Sequence, residues 1–345
     1  MKILVLNCGS GSVKYQVVET TTQEKIVDED IQRVTDHAAA IQEILSKVDL
    51  KEIKAVGHRV VHGGEKFKSS VLVTDEVLAE MDKIEFLAPL HNPAAMAGVR
   101  ACRAQMPDLP NILVFDTAFH STMEPGAYLY GIPMEDYEQY GIRKYGFHGT
   151  SHQYVAEQAA KQLGKPLKDL KLVTCHIGNG ASICAVEYGK CIDTSMGMTP
   201  LAGLVMGTRS GDIDPAALSI LCAKHNFTID EAITYLNKSC GLKGLTGISF
   251  DLRDLEPVME TNPRVKIAID VYIHRLVQYI GSYVAEMRGC DAIVWTGGVG
   301  LYRKFVSERV MKYFDFLPNC QKLVIKTNEE LMIALECEKL IQAAK

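Results

Sequence analysis

Hydrophobic residues form short apolar runs in some segments, as in buried strands, and recur with the 3.6-residue period of a helix in others. The alternation of these two patterns along the chain predicts a succession of strands and helices. The stretch "ILVLN" at 3–7 is unbroken and apolar, as in a strand that is buried on both faces. Small residues follow it, and "VKYQVVE" at 13–19 predicts a second strand after that turn. Later strands are predicted in "IKAVGHRVVHGG", "NILVFDTAFH", "LKLVTCHIGNGASICAVEYGKCIDTS" and "DAIVWTGGVG".

Helical spacing fills most of the intervals between these strands. In the helix that begins near residue 92, Asn92 is the predicted N-cap and Pro93 the first helical residue. In the last helix, Thr327 and Glu330 predict a capping box, which leaves Glu329 free to face a ligand. An alternation of strands and helices of this kind is typical of an α/β fold. The predicted helices are "DHAAAIQEILSKV", "HNPAAMAGVRACRAQM", "HGTSHQYVAEQAAKQLG", "RVKIAIDVYIHRLVQYIGSYVAEMRG" and "TNEELMIALECEKLIQAAK".

One strand plan occurs twice. "VLNCGSGSVKYQVVE" and "TCHIGNGASICAVE" both run from an apolar strand through a polar residue and G-x-G into a second strand. Gly9 and Gly11 thereby match Gly178 and Gly180. Such a repeat predicts two copies of one α/β unit, each with a glycine turn that faces a shared cleft.

Length and composition agree with a two-domain enzyme. The 345 residues exceed what one ordinary core organises, and 47% hydrophobic with 23% charged residues is usual for a globular protein. A net charge of -5 argues against a nucleic-acid binder, which would be basic. No apolar run reaches membrane-spanning length and no signal peptide is evident, so we expect a cytoplasmic protein without a membrane partner.

The ten cysteines are scattered, and no C-x-x-C motif occurs among them. A zinc ribbon and a thioredoxin-type site are therefore not indicated. We expect buried free thiols in a reducing compartment.

The first glycine turn fits neither of the two common phosphate loops. "GSGSVK" lacks the spacing of G-x-x-x-x-G-K-[ST], and Lys14 stands where a dinucleotide loop has its third glycine. What remains is a hairpin whose backbone N–H groups and Ser10 and Ser12 hydroxyls can face an anion, with Lys14 adding positive charge.

Residues suited to phosphate or carboxylate chemistry lie at strand ends and in loops, where ligands of open α/β sheets bind. Arg209 has glycines on both sides in "VMGTRSGDIDP", so that a ligand can approach the backbone closely; a surface salt bridge is the alternative reading. "HRVVH" and "HGTSH" each space two histidines like a zinc pair, but the first is not helix-like and the second straddles the predicted start of a helix. The candidate set is Asn7, Arg59, His91, Asp116, His148, Arg209 and Glu329.

Several long stretches resemble the acetate kinase family, within the superfamily of actin-like ATPases and sugar kinases. These stretches follow the family's order over nearly the whole chain: "NCGSGSVKY", "GHRVVHGGE", "LAPLHNPA", "VFDTAFH", "YGFHGTSH", "HIGNGASICAVEYGKCIDTSMGMTPLAG", "MGTRSGDIDP", "DLRDLE" and "TNEELMIA". The resemblance implies two domains of duplicated actin-like (ribonuclease H-like) topology, with mixed sheets flanked by helices and the active site in the cleft. The expected domains are 1–120 plus 331–345, and 121–330 with the nucleotide site.

The resemblance also implies an activity, Mg²⁺-dependent transfer of the ATP γ-phosphoryl group to acetate, with Mn²⁺ as a substitute ion and a homodimer as the assembly. By motif, Asn7 and Glu329 would serve the metal, and Asp116, His148 and Arg209 would be catalytic. Substrate-binding residues would be Arg59, Val61, Leu90, His91, Phe147 and Pro200. ATP and ADP would contact Ser10, Ser12, Lys14, His176, Gly178, Asn179, Gly180, Asp251, Arg253, Gly298 and Gly300.

Elementary chemistry agrees with that activity. Acetate is ionised near pH 7, since carboxyl pKa values lie near 4, and it needs no general base. Catalysis then depends on holding two anions in line and cancelling their repulsion. We therefore expect Asp116 to orient an arginine or a metal-bound water rather than to remove a proton.

Two departures from the family pattern keep alternatives open. The chain is shorter than typical members, between Lys14 and Arg59 and between Gly300 and Glu329, and Leu301 and Tyr302 replace the usual Glu-Asn. A propionate or other short-chain carboxylate kinase of the same fold is the first alternative. A non-catalytic nucleotide-binding switch is less favoured because it would not need a carboxylate site, and a metallohydrolase lacks a good ligand set.

Overall fold

Two mixed β-sheets with the same strand plan organise the chain. The computed structural model describes residues 1–9, 11–89 and 91–343. The strands are β1 (Lys2–Cys8), β2 (Ser12–Glu19), β3 (Glu24–Gln32), β4 (Ile53–Val60), β5 (Val71–Leu72), β6 (Asn111–Phe115), β7 (Lys171–Ile177), β8 (Ala181–Glu187), β9 (Lys190–Thr194), β10 (Ala292–Thr296) and β11 (Gln321–Val324).

Helices connect and cover these strands, with short 3₁₀ turns between some of them. The α-helices are α1 (His37–Lys47), α2 (Asp75–Lys83), α3 (Asn92–Gln105), α4 (Pro125–Tyr128), α5 (Met134–Tyr140), α6 (Gly149–Leu163), α7 (Pro215–His225), α8 (Ile229–Lys238), α9 (Gly241–Thr246), α10 (Leu252–Leu255), α11 (Pro263–Glu286), α12 (Gly297–Tyr302), α13 (Lys304–Met311) and α14 (Glu329–Ala343). Within the described part of the chain, no helix combines the length and the apolarity that a membrane crossing needs.

Contacts between Cα atoms divide the chain into two units. Unit 1 comprises Met1–Ser121, Phe147–Tyr154 and the chain from Asn328 onwards, and unit 2 comprises Thr122–Gly146 and Val155–Thr327. The domain boundaries expected from the sequence differ from these units at residue 121 and at residues 147–154 and 328–330, and they stay a prediction.

Each unit has one sheet. In unit 1 the strand order is β3-β2-β1-β4-β6-β5, and in unit 2 it is β11-β10-β7-β8-β9. In both sheets a three-stranded antiparallel meander continues through its first strand into parallel neighbours, β4 and β6 in one unit and β10 and β11 in the other. The repeat seen in the sequence is therefore a repeat of topology.

Strand β1 is buried on both of its faces, as its unbroken apolar run predicts. Ile3 and Val5 pack in a cluster with Leu331 and Ile333 of α14. Leu4 and Leu6 point the other way, into a cluster with residues of α1 and α3. The alternation follows from the two-residue period of a strand.

The structure departs from the sequence analysis at two places. Strand β3 was not among the predicted strands, because most of its side chains are exposed and the charges of "EKIVDEDIQ" mask its pattern. Asn92 is the first residue of α3 rather than its N-cap, and it is completely buried. Its side-chain Oδ1 accepts from the His62 N–H at 3.3 Å, and its Nδ2 donates to the His62 carbonyl at 3.0 Å.

Candidate active site

A buried ion pair lies where two parallel strands of unit 1 end. Arg59 is near the end of β4, and Asp116 directly follows β6, whose Val114 is the register partner of Arg59. Arg59 Nε donates to Asp116 Oδ1 at 3.0 Å, and Nη2 donates to Oδ2 at 2.8 Å. This two-bond geometry fixes the plane of the guanidinium. Asp116 is buried, whereas the side chain of Arg59 is about one fifth exposed (21%).

A second carboxylate approaches the same guanidinium. Glu329, the first residue of α14, places Oε1 at 3.7 Å from Arg59 Nη2. The negative charge of Asp116, and then that of Glu329, raises the pKa of Arg59 well above its ordinary value. Arg59 is therefore a permanent cation at this position.

The carboxylate oxygen of Glu329 provides a test of whether the site suits a metal. Oε1 is buried and has no hydrogen-bond partner among the described residues. A buried carboxylate oxygen without a hydrogen bond is costly, and it is a preferred ligand for hard divalent cations. Asn7, at the end of β1, adds a neutral amide oxygen to the predicted donor set. These residues fit Mg²⁺ or Mn²⁺.

Lys14 is paired with a carboxylate rather than isolated. It is the register partner of Asn7 in the β1–β2 hairpin, and its Nζ lies 2.7 Å from Glu330 Oε1. Burial alone would lower the pKa of Lys14, but the hydrogen bond and charge of Glu330 raise it overall. The predicted capping box is thus wrong, because Glu330 binds Lys14 and Asn328 Oδ1 instead accepts from Leu331 N at 3.2 Å in the first turn of α14.

His148 has a backbone conformation that is rare outside glycine, with φ at 57°. The next residue, Gly149, donates its N–H to the Asp116 carbonyl at 2.9 Å. A Cβ at position 149 would lie 2.2 Å from that carbonyl oxygen, so only glycine fits there. The left-handed residue and the glycine together tie His148 to the end of β6.

Some residues that shape this part of unit 1 were missed by the sequence analysis. His120 Nε2 lies 2.8 Å from the Phe147 carbonyl oxygen, and the Phe147 ring packs edge-on against His62 at 5.5 Å between centroids. Asn92 holds the backbone of His62 in turn. Histidine and asparagine are common in loops, so no signal in the sequence distinguishes these from solvent-exposed residues.

Unit 2 contains a cavity of about 230 Å³ beside its glycine turns. Gly178 and Asn179 of the β7–β8 turn line it, and so do Gly298 and Val299 of α12. Gly297 has φ at 76°, and a Cβ there would lie 2.6 Å from the Ile177 carbonyl, so the close approach of α12 to β7 requires glycine. The remaining lining residues are Gly207, Leu242, Phe250, Asp251, Leu252, Arg253, Tyr272, Tyr302 and Arg303.

Five residues of the predicted nucleotide set therefore line one cavity: Gly178, Asn179, Asp251, Arg253 and Gly298. His176, Gly180 and Gly300 belong to the same turns but are not among its lining residues. Asp251 Oδ2 accepts from Arg253 Nε at 2.8 Å, and the hydrogen bonds of Arg253 lower the pKa of Asp251. The aromatic lining was missed because Phe250 and Tyr272 look like ordinary core positions in the sequence.

Arg209 lies in the loop that the sequence analysis singled out, also in unit 2. Its Nη1 donates to the Pro200 carbonyl at 3.1 Å, and burial lowers its pKa. Among residues 1–9, 11–89 and 91–343, no carboxylate lies within ion-pair distance of Arg209. A half-buried guanidinium without an anion is a binding group for one.

The other predicted residues are distributed as follows. Ser12 begins β2, and Val61 follows β4, in both cases with partial exposure. His91 is exposed at the N-cap of α3, and Phe147 is buried in unit 1. Ser10 and Leu90 lie outside the described residues.

Mixed sheets of this repeated plan, flanked by helices, define an actin-like fold with two related domains. The ROK hexokinase from Thermus thermophilus shares the fold, with a TM-score of 0.53 at 12% identity over 99% of this chain and 100% of that one. The predicted α/β fold with two related domains is confirmed.

The chain belongs to the acetokinase family, whose sequence profile matches residues 27–321. It is 47% identical to the acetate kinase of Desulfitobacterium hafniense (strain DSM 10664 / DCB-2) over 397 aligned positions, which cover 99% of this chain and 100% of that protein. The alignment is longer than the 345-residue chain, because the relative has segments that this chain lacks. The resemblance seen in the motifs is confirmed, and with it an enzyme class, phosphotransferases that act on a carboxyl group.

Two solved structures agree closely in backbone. The acetate kinase of Porphyromonas gingivalis has a TM-score of 0.94 at 37% identity and covers 99% of both chains. The propionate kinase of Francisella tularensis subsp. tularensis SCHU S4 has a TM-score of 0.89 at 37% identity, over 97% of this chain and 98% of that one.

The unit 2 cavity gives a prediction about nucleotide affinity. Tyr302, one of the two residues that replace the family's usual Glu-Asn, lines the cavity with 68% of its surface exposed. We expect Tyr302→Ala to weaken ATP and ADP binding about 5-fold to 10-fold, since contact of an aromatic ring with a base is worth about 1 kcal/mol. Isothermal titration calorimetry measures the change.

Tyr313→Ala is the matched control, because Tyr313 is 61% exposed in the same unit but does not line this cavity. Equal affinities for Tyr302→Ala and the unchanged protein would place the nucleotide elsewhere.

Proposed function

We propose that the protein is an acetate kinase that catalyses the reversible, Mg²⁺-dependent transfer of the ATP γ-phosphoryl group to acetate, giving acetyl phosphate and ADP. The observation that carries the proposal is the hydrogen bonding of the Arg59 guanidinium. Asp116 occupies its Nε and Nη2, while Nη1 has no hydrogen-bond partner among the described residues. The guanidinium is thus a cation fixed in position whose Nη1 is left to donate hydrogen bonds, and such a group can bind a small carboxylate.

Asp116 supports this role without taking part in proton transfer. The acceptor is already an anion, so its oxygen can attack phosphorus without a base. Because both oxygens of Asp116 accept from Arg59, we infer that Asp116 is a positioning residue that keeps the guanidinium aimed at the acid. Val61, Leu90, His91, Phe147 and Pro200 complete the proposed binding set for acetate.

Charge on the transferring group is the main barrier to this reaction, because two anions must approach in line. We infer that His148 of unit 1 and Arg209 of unit 2 stabilise the three equatorial oxygens of that group. The left-handed backbone of His148 supports this assignment, and so does the guanidinium of Arg209, which has no ion pair among the described residues. An arginine in this role is worth about 10³-fold or more in rate in related reactions.

The nucleotide would be held by both glycine turns. In unit 2 we assign it to the cavity lined by Gly178, Asn179, Asp251, Arg253 and Gly298, with His176, Gly180 and Gly300 shaping the turns. In unit 1 we assign phosphate contacts to Ser10, Ser12 and Lys14. Lys14 would then exchange its bond to Glu330 for the phosphate, or share it.

Asn7 and Glu329 are the residues that we propose for the metal. When bound, Mg²⁺ neutralises charge on the phosphates and orients them. Glu329 Oε1 is buried and has no hydrogen bond to any residue that the structure describes, which supports this choice.

The first prediction from this proposal concerns Arg59. We expect Arg59→Ala to lower kcat/KM for acetate at least 100-fold while ATP affinity changes less than threefold, because the arginine serves the acid and not the nucleotide. Acetyl phosphate trapped with hydroxylamine measures turnover, and calorimetry measures ATP binding.

Removal of Arg59 also leaves Asp116 buried without a partner, which costs roughly 3 kcal/mol or more in unfolding free energy. Arg59→Lys therefore serves as a second variant, since it keeps the charge but loses the two-bond geometry. Arg100→Ala, at an exposed pair with Asp82, is the control. Unchanged acetate turnover in folded Arg59→Lys and Arg59→Ala would contradict the assignment.

The second prediction concerns the metal. Glu329→Gln should raise the Mg²⁺ concentration for half-maximal activity at least tenfold, since an amide is a weaker ligand than a carboxylate. Glu338→Gln is a matched control on the same helix, because both side chains are 22% exposed. If the two variants require the same Mg²⁺ concentration, Glu329 is not a ligand.

A propionate kinase is the alternative that a specific observation favours. The propionate kinase of known structure is as similar in sequence as the acetate kinase from Porphyromonas gingivalis, at 37% identity each. One methylene group is worth only about 1–3 kcal/mol in a hydrophobic pocket, so both acids should react. The ratio of the two kcat/KM values decides the physiological acid, and a ratio above 10 in favour of propionate would overturn acetate. A nucleotide-binding switch is excluded if acid turnover is found at all.

We further propose that the protein forms a homodimer through α7 and α8 of unit 2. None of the residues of α7 is buried, although its sequence "PAALSILCAKH" is mostly apolar. Ile220 is 62% exposed, and Ile229 and Ile233 of the adjacent helix are exposed as well. A helix this apolar needs a partner surface, and a second copy of the chain supplies one. The cytoplasmic location stays a prediction.

Ile220→Glu should halve the mass measured by analytical ultracentrifugation at micromolar concentration, because a charge would be buried in the interface. Ile26→Glu, at a 50% exposed position of β3 in unit 1, should leave the dimer intact. A dimer that survives Ile220→Glu would place the interface elsewhere.

A further inference from the structure

The side chain of Asn92 holds both backbone groups of one residue, His62. Asn92 Oδ1 accepts from the His62 N–H at 3.3 Å, and Asn92 Nδ2 donates to the His62 carbonyl at 3.0 Å. Both residues are completely buried. An amide that uses its oxygen and its nitrogen on the same residue fixes that residue much as a neighbouring strand does.

These bonds do not serve the helix in which Asn92 lies. Asn92 is the first residue of α3, and the side chain of the N-cap residue, His91, makes no capping hydrogen bond. A side chain at the start of a helix would ordinarily satisfy the backbone N–H groups of the first turn. The buried amide of Asn92 is instead committed to a different segment of unit 1, residues 61–64.

The segment that Asn92 holds continues strand β4, and other bonds attach it to the end of β6. The Asp116 N–H donates to the Val60 carbonyl at 2.9 Å, and the Gly63 N–H donates to Thr117 Oγ1 at 3.2 Å. Asn92 supplies the two bonds that lie between these points along the chain.

Val61 lies within the same segment, directly before His62. Because side chains alternate between the faces of a strand, we expect Val61 on the face of Arg59, two residues earlier. Burial agrees with this, since Val60 is completely buried whereas Val61 and Arg59 are partly exposed. A guanidinium next to an apolar side chain matches an acid that has a carboxylate and a short alkyl group.

We propose that Asn92 is a positioning residue for the choice of acid: by holding His62, it fixes Val61 as the wall against which the alkyl group packs. The inference rests on the proposed function and names what keeps the acid site small. Without the two bonds of Asn92, the wall is free to shift and admits an additional methylene group at a lower cost. Arg59 stays held by Asp116 and still binds the carboxylate.

The experiment measures kcat/KM for acetate and for propionate in the full-length protein, with the acyl phosphate trapped by hydroxylamine. Asn92→Ala should raise the propionate-to-acetate ratio about fivefold or more, through the KM values of the acids, while KM for ATP stays within twofold. Val61→Ala, which shortens the wall itself, should raise the ratio by a similar factor. In the double variant the two factors should not multiply, because both changes act through one wall.

Asn111→Ala is the matched control. Asn111 is also buried in unit 1 and also uses both ends of its amide, with Oδ1 2.8 Å from His58 Nε2 and Nδ2 donating to the Leu109 carbonyl at 2.9 Å. Its loss should lower the unfolding temperature, as Asn92→Ala does, but leave the acid ratio within twofold. Asn92→Ser is the second variant if Asn92→Ala does not fold, since the shorter side chain cannot make both bonds and should shift the ratio in the same direction.

The outcomes separate this inference from the proposed function. If the unchanged protein forms no acyl phosphate from either acid, the proposed function fails and this inference fails with it. If the unchanged protein turns over and folded Asn92→Ala or Asn92→Ser keeps its acid ratio within twofold, the inference alone is overturned. It is also overturned if the factors multiply in the double variant, or if Asn111→Ala shifts the ratio equally, because reduced stability would then account for the change.

Discussion

The ion pair between Arg59 and Asp116 is the interaction on which the candidate active site depends. Its two hydrogen bonds join residues at the ends of parallel strands β4 and β6, so the sheet of unit 1 determines where the guanidinium lies. A buried carboxylate is costly without a partner, and the pair stabilises both charges at once. Asp116 also accepts, through its backbone carbonyl, the N–H of Gly149 beside His148. One residue therefore organises two of the groups that we assign to the reaction.

Further charged side chains lie near this pair and influence its electrostatics. Glu329 lies close enough to Arg59 to raise the pKa of the arginine, yet one oxygen of Glu329 has no hydrogen bond within the described part of the chain. Lys14 and Glu330, the next residue of α14, form a second pair. Cations and carboxylates arranged in this way attract phosphate, carboxylate and metal together, which is the combination that phosphoryl transfer to a small acid needs. Unit 2 has different features: a cavity lined by glycines and aromatic side chains, and an arginine that forms no ion pair with the described residues.

Much of the fold was predictable from the residues. The apolar pattern of the local sequence was sufficient to predict three features: strand β1, the repeated G-x-G hairpins and the long helix α11. Strand β3 was missed because an edge strand with mostly exposed side chains carries no apolar period. The capping box at Thr327 and Glu330 was wrong because a lysine of β2, far away in the sequence, binds Glu330 more favourably than a backbone amide does. A helix-capping pattern read from neighbouring residues therefore fails when a charged residue from a distant part of the sequence binds the same side chain.

By itself, the sequence determined the α/β class, the two related halves, the family and the identity of the polar residues at strand ends. Those properties depend on the order of residues along the chain. Only the tertiary structure decided which partners those residues have: that Arg59 is held through two nitrogens and presents a third, and that Asn92 anchors His62. Such pairings join residues that are tens of positions apart, and they follow from strand register and helix placement rather than from any local pattern.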